Sequence, residues 1–339
     1  MNMAMKYGIA VLMIAILLCL HISASNYQVR SKKVRKMIID TDAGGDDALA
    51  LLLALMYEVK TNDIEILAIT CTYGNAYLNN VTQNVLKVLT IANRNDIPVY
   101  KGSVKPMINT YKFDDYFGED GFGDFNFTQR ITAKVDESKH ASVLLVDLVK
   151  KYPGEITIVA LGPVTNIAVA NMLEPNFLNY TEQLVIMGSS VNMSDSNGIP
   201  RIEFNFKQDP ESNWITLNNT DKVHTVVPID IVDSYAITKE EYRDLFNKLN
   251  SSFANFLQLA ERKALEVSEF WRPADGMAMA IALKPEIAMK SFETNLVPVL
   301  IEDMRGAVVV DPNNTIHNAC VIQEFDVAAF KNLILECLS

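Results

Sequence analysis

Alternating strand and helix patterns predict an α/β fold: an open, mostly parallel central sheet with helices on both faces and antiparallel additions near the C-terminus. Three observations carry this. Short β-branched runs at residues 37–39, 64–70 and 155–160 are each followed, directly or after a loop, by a stretch of helix formers. Polar or glycine-containing steps stand where such runs end, at Asp42, Asn75, Leu161-Gly162 and Met187-Gly188, and that is where a parallel sheet binds its ligands. The late runs at residues 296–301, 306–310 and 316–325 follow one another without a helix between them and read as antiparallel.

The first element organises the others. Residues 37–39 read as a buried strand. Asp40, Asp42, Asp46 and Asp47 fall within eight positions, split by Gly44 and Gly45. Residues 48–56 are strong helix formers. The glycines permit turn angles that other residues avoid. Carboxylates this crowded repel one another unless a cation lies between them, and a hard ion such as Ca²⁺ or Mg²⁺ prefers oxygen ligands. The plainer reading is that some of these acids cap the helix, whose first turn favours negative charge. An EF-hand loop is excluded, because the twelfth position counted from Asp40 is Leu51. A phosphatase with an aspartate nucleophile is disfavoured by Gly44, which stands where Thr or Val would be expected.

The remaining elements follow in order. The strand at 64–70 ends at Cys71-Thr72-Tyr73-Gly74-Asn75, a helix covers 79–93, and a short strand covers 98–101. Residues 103–139 show no period but are rich in Asp, Gly and aromatics, which marks a functional loop. Helix 141–151, strand 155–160, helix 164–172 and strand 183–187 come next. Ile202-Glu203-Phe204-Asn205 reads as a strand that would place Glu203 and Asn205 on one face. Helix 209–217, strand 223–227, a broken helix over 239–267 and a helix opening near Asp275 precede the tail, which ends in a final helix.

Composition narrows the function. The 339 residues carry a net charge of −11, with no basic run beyond residues 30–36, so nucleic acid is not an expected partner. Lys6, an apolar run over 7–20 and small residues through Ser25 read as a secretory signal peptide over 1–25. An uncleaved anchor is the alternative, although the run is shorter than the roughly 20 residues of a spanning helix. The expectation is a single secreted domain over 26–339, free of the membrane after cleavage. N-x-S/T sequons at Asn80, Asn126, Asn179, Asn192, Asn218, Asn250 and Asn313 agree with secretion. Cys71 reads as a buried thiol, and Cys320 with Cys337 is a candidate disulfide.

The acid stretch resembles the D-x-D-x-G-x-D-D-A motif of the nucleoside hydrolases. Thr72-Tyr73-Gly74-Asn75, Leu161-Gly162-Pro163-Val164-Thr165-Asn166, Val185-Ile186-Met187-Gly188, Asn197 with Glu203-Phe204-Asn205, and the late Asp275 resemble further motifs of that family, in its order. The likeness runs from about residue 36 to the carboxyl end. It implies a Rossmann-like sheet, a bound Ca²⁺, a nucleoside as the small-molecule substrate and hydrolysis of the N-glycosidic bond. It also implies a homodimer or homotetramer, the common states of the family.

Carried over position by position, Asp42, Asp47 and Asp275 would ligate calcium through carboxylates and Leu161 through its backbone oxygen. Asp42 would also be the general base toward a calcium-bound water, and Asp40 would stand behind the metal. Asp46, Asn75, Met187, Asn197, Glu203 and Asn205 would hold the ribose. Such a pocket suits a cationic, oxocarbenium-like sugar. Two family histidines that donate to the leaving base are replaced by Phe117 and Ala274. Without them a pyrimidine would leave poorly, whereas a purine can be protonated on its own ring, so inosine and guanosine are the expected substrates. Tyr116, Phe117 and Trp271 are the candidates to stack on the base, Trp271 having a core or lid role as its alternative. His140, His224 and His317 match no family position. A secreted nucleoside-binding protein without turnover is the rival reading, supported only by the missing histidines.

Overall fold

The chain from Arg35 to Ser339 folds around one nine-stranded sheet in a computed structural model that describes residues 33–192, 200–218, 221–249 and 251–339. The expected signal peptide and Asn197 lie outside the described residues. Strand β1 (Arg35–Thr41) leads through helix α1 (Gly45–Thr61) to β2 (Ile64–Cys71), then α2 (Leu78–Ala92) and β3 (Val99–Lys101). Helix α3 (Ala141–Lys151), β4 (Ile156–Ala160), α4 (Thr165–Leu173) and β5 (Gln183–Met187) follow. Next come α5 (Phe204–Gln208), α6 (Pro210–Asn218), β6 (His224–Val227) and α7 (Ile229–Ser234). The last third holds β7 (Ile237–Thr238), α8 (Lys239–Leu249), α9 (Ser252–Ala260), α10 (Arg262–Val267), β8 (Phe270–Trp271) and α11 (Ala274–Leu283). It closes with β9 (Ala288–Pro298), β10 (Val308–Asp311), β11 (Ala319–Phe325) and α12 (Val327–Leu338).

The strands lie in the order β10-β9-β11-β6-β5-β4-β1-β2-β3. From β11 to β3 every neighbouring pair is parallel, and β9 pairs antiparallel with both β10 and β11. The chain winds outward from β1 in one direction to β3 and in the other through β4 to β6. The crevice between β1 and β4 is therefore the topological switch point, the place where open α/β sheets bind ligands.

Alternation along the inner strands feeds two cores. Met37 and Ile39 face a layer built on α1, α11 and α12, while Ile38, Ile158 and Ile186 face a layer containing Leu145, Ile167 and Phe177. Helix α1 is buried along most of its length because α11, α12 and α9 cover the side that β1 and β2 do not. Close packing of α1 on α11 uses Gly276, where a Cβ would stand 2.7 Å from Leu49 Cδ2. That approach brings Asp275 to the start of α1.

Three expectations change. Glu203 and Asn205 are not on a strand: Glu203 is the N-cap of α5, and both side chains are buried by helix geometry rather than by strand alternation. Cys320 and Cys337 are free thiols. The end of α12 docks on the far end of α1, where Lys60 Nζ donates to Glu336 O at 2.8 Å, away from the β11 position of Cys320. Strand β9 begins at Ala288, eight residues before the expected start, because its first half pairs antiparallel with β11; Lys290, Ser291 and Glu293 show no apolar alternation that would mark it. Among the described residues no helix is long and apolar enough to cross a membrane.

Candidate active site

Asp42 follows the carboxyl end of β1, Asp46 and Asp47 open α1, and Asp275 opens α11. Carboxylate oxygens of Asp42, Asp47 and Asp275 lie within 4.8 Å of one another, although 228 positions separate Asp47 from Asp275. All three are buried. Asp47 accepts from Thr41 Oγ1, from Gly44 N at 2.7 Å and from Asn75 Nδ2 at 3.3 Å. Asp42 Oδ2 accepts from Asn75 N at 2.8 Å, whereas its Oδ1 is buried with no partner among the described residues. Asp46 Oδ2 accepts from Asp275 N at 3.4 Å.

Glycines give Asp42 its room. A Cβ on Gly74 would stand 1.9 Å from Asp42 Oδ2, and one on Gly162 would stand 2.8 Å from its Oδ1. Ala43, between the acids, has φ +28°, an uncommon angle for a residue with a Cβ. Asn84 holds that turn by donating to Ala43 O at 3.1 Å. Behind the cluster, Asp40 accepts from Thr70 Oγ1 at 2.5 Å and Asn166 Nδ2 at 2.8 Å.

The electrostatics are those of a site built for positive charge. Burial pushes the Asp40 carboxyl up to about 7. Burial, then repulsion from Asp47, raises Asp42 well above the usual carboxylate range and Asp46 to about 7. Burial and the charges of Asp46, Asp47 and Asp42 raise Asp275. Four such acids stay ionised together only with a cation among them. The unpaired Asp42 oxygen, the all-oxygen donor set and the converging carboxylates fit a hard divalent ion.

The cluster borders a cavity of about 740 Å³, a volume that accommodates a small organic ligand. Asp46, Asn75, Leu161, Met187, Glu203, Asn205 and Asp275 line it. Asn205 Nδ2 donates to Leu161 O at 2.7 Å and Met187 O at 3.2 Å, tying the ends of β4 and β5 together. Glu203 accepts from Asn205 N, Phe206 N and Ser189 N at 2.8, 3.0 and 3.1 Å. Its carboxyl is raised to about 7 by burial, against those hydrogen bonds.

Tyr116 and Phe117 reach the cavity from the long loop, their rings edge to face at 4.8 Å. Trp271 does not line it. Its ring packs on Tyr242, Phe246 and Phe330, and its Nε1 donates to buried Glu261 at 2.8 Å, so it is a core aromatic rather than a base platform. Ala274, where a family histidine was expected, does line the cavity. Sequence reasoning missed Arg201, Asp233 and Arg272, which also line it. No period or motif marks them; Asp233 of α7 gathers them by accepting from both Arg201 and Arg272. The histidines have structural places: His140 caps α3, His224 is buried in β6 and His317 faces Glu293.

Over residues 37–332 the chain matches the family described as inosine-uridine preferring nucleoside hydrolase. It is 32% identical over 320 residues to the enzyme of that description from Leishmania major, covering 90% of this chain and 97% of the relative. A probable uridine nucleosidase 2 of Arabidopsis thaliana is 38% identical over 181 residues, 52% of this chain and about half (54%) of that relative. The solved structure of an inosine-guanosine nucleoside hydrolase is similar with a TM-score of 0.79 at 28% identity, over 90% of this chain and 98% of the other.

Proposed function

Because this chain belongs to the inosine-uridine preferring nucleoside hydrolase family, we propose that it is a calcium-dependent nucleosidase that cleaves purine ribonucleosides, inosine and guanosine foremost, to the free base and ribose. The observation that carries this is the convergence of Asp42, Asp47 and Asp275 beside a nucleoside-sized cavity, with one Asp42 oxygen unpaired. The three carboxylates, with the Leu161 carbonyl, would hold the ion. Calcium suits a carboxylate-and-carbonyl set better than magnesium, which keeps most of its waters. When bound, the ion supplies positive charge that lowers the pKa of water and grips vicinal hydroxyls.

The chain's own residues do the rest. Asp42 accepts the proton of the attacking water. Asp46, Asn75, Glu203, Asn205 and the Met187 region orient the ribose, and a need for its hydroxyls makes 2′-deoxynucleosides poor substrates. The buried acids stabilise the cationic sugar more than the neutral substrate. Tyr116 and Phe117, which line the cavity, cover the base in this reading. Purine preference is supported by Phe117 and Ala274, which offer no proton to a departing pyrimidine. The intact Asp42 favours turnover over mere nucleoside binding. The amino-terminal apolar run and the sequons support a secreted enzyme.

The test is release of base and ribose from inosine, guanosine and uridine by the purified protein, with and without calcium. The expected result is hypoxanthine and guanine release that depends on calcium. Uridine turnover equal to that of inosine would overturn the purine preference, and a calcium-free preparation of full activity would overturn the metal.

A further inference from the structure

Arg201 and Arg272 are the only cationic side chains lining the cavity among the described residues, and the roles above use neither. Arg272 Nε donates to Asp233 Oδ1 at 2.7 Å and its Nη1 to Ser268 Oγ at 2.7 Å. The other oxygen of Asp233 accepts from Arg201. A guanidinium has five N–H donors in a rigid fork. Two of those on Arg272 are engaged, and Nη2 has no partner among the described residues. The side chain is thus fixed while its remaining donors are available.

Its place in the cavity is at the base end. Arg272 is two residues before Ala274, the position without a proton donor. Together with Tyr116 and Phe117, the aromatics that would cover the base, Arg272 also lines a second, smaller cavity. Arg201, bonded to the other oxygen of Asp233, backs the Arg272–Asp233 pair. Five carboxylates in the same lining, those of Asp46, Asp114, Glu203, Asp233 and Asp275, disfavour a phosphorylated ligand as the partner of either arginine.

Resting on the purine reading above, we propose that Arg272 is the leaving-group residue: its fork reads the O6 and N7 acceptors of a 6-oxopurine and stabilises the electron pair that the base carries away. Arginine paired with O6 and N7 is the commonest specific contact to guanine. A 6-aminopurine turns an N–H toward the same fork and is discriminated against. Arginine stays protonated, so it is not a general acid. The C1′–N9 bond breaks with both electrons passing to the purine, while a C1′–O bond forms to water. The water proton goes to Asp42, and bulk water protonates the departed base.

The experiment measures kcat/KM of the full chain and its Arg272→Met and Arg272→Lys variants on inosine, adenosine and 4-nitrophenyl riboside, whose leaving group needs no base contact. Arg272→Met is expected to lose about 10- to 100-fold on inosine, the range one bidentate arginine–purine contact is worth. Adenosine and the nitrophenyl riboside should fall by less than about 3-fold, and Arg272→Lys should recover part of the inosine rate. Retained nitrophenyl cleavage also shows that the variant folds. Should Arg272→Met not fold, Arg272→Lys and 7-deazainosine decide: the parent must favour inosine over the analogue more than the lysine variant does. Equal losses on all three substrates, or none, would overturn the assignment. A parent enzyme that prefers uridine would instead overturn the purine reading, which is a separate outcome.

Discussion

Gly74→Ala is a single-methyl test of how Asp42 is held. The added carbon would stand 1.9 Å from Asp42 Oδ2, 2.6 Å from its Cγ and 2.7 Å from its Cβ. Ordinary contact begins near 3.4 Å, so the carboxylate would have to retreat by roughly 1.5 Å. Asp42 is fully buried, so the shift leads not to solvent but into the groups packed around it. Asn75 N pins Oδ2 at 2.8 Å, so a shift also breaks that hydrogen bond. A displacement of about 1 Å at a reacting group costs on the order of 100-fold in rate, or about 3 kcal/mol of barrier. Overpacking at a buried site adds roughly 1–3 kcal/mol of destabilisation. The assay is the initial rate of base release from the best nucleoside at saturation, with calcium titration and circular dichroism on the same sample. The expectation is a folded protein with kcat down about 100-fold and weakened calcium binding. A Gly74→Ala variant turning over within about 3-fold of the parent would refute the view that this glycine cradle fixes the carboxylate proposed as the general base.

Further outcomes follow from the same geometry. Stripping calcium with a chelator should abolish turnover and lower the unfolding temperature, since an ion held at about 100 times its Kd adds about 2.7 kcal/mol to the folded state; an unchanged melting curve would count against the ion. Trp271→Phe should leave the KM for inosine near the parent value but destabilise by about 1–3 kcal/mol, because Glu261 loses its indole donor in the core; a large rise in KM with unchanged stability would restore Trp271 as a base platform. His224 is buried in β6, and desolvation lowers its imidazole from 6.5 to about 4. Below pH 6.5 the unfolded chain therefore takes up a proton that the folded chain refuses, so this histidine drains about 3 kcal/mol of stability as pH falls to about 4. Urea unfolding of His224→Leu should show a shallower loss over that window, and parallel curves for parent and variant would contradict the assignment. Glu203→Gln should destabilise by about 1–3 kcal/mol, since an amide cannot accept from all three backbone N–H groups that the carboxylate serves; equal thermal stability would show those bonds to be dispensable.

Much of this protein follows from short-range chemistry. The β-branched run of β1, the helix formers of α1 and the glycines between the acids are local choices that agree with one another, so strand, turn and helix are readable from adjacent residues. The same holds for β4 and β5, whose alternation declares two buried faces. Residue types at the strand ends announced oxygen-rich, cation-seeking chemistry. What neighbours along the chain cannot convey is which distant groups meet. Asp275 joins Asp42 and Asp47 only because Gly276 lets α11 close on Leu49 of α1. Glu203 became a helix cap rather than a strand residue because the N–H groups of Ser189, Asn205 and Phe206 converge on its carboxylate. Trp271 turned into the core because Tyr242, Phe246 and Glu261 offer it partners there. Arg272 entered the cavity through Asp233 and Ser268, which have no sequence signature. Local propensity sets elements and the character of their ends, while burial and packing across the sheet decide which of those ends share one site.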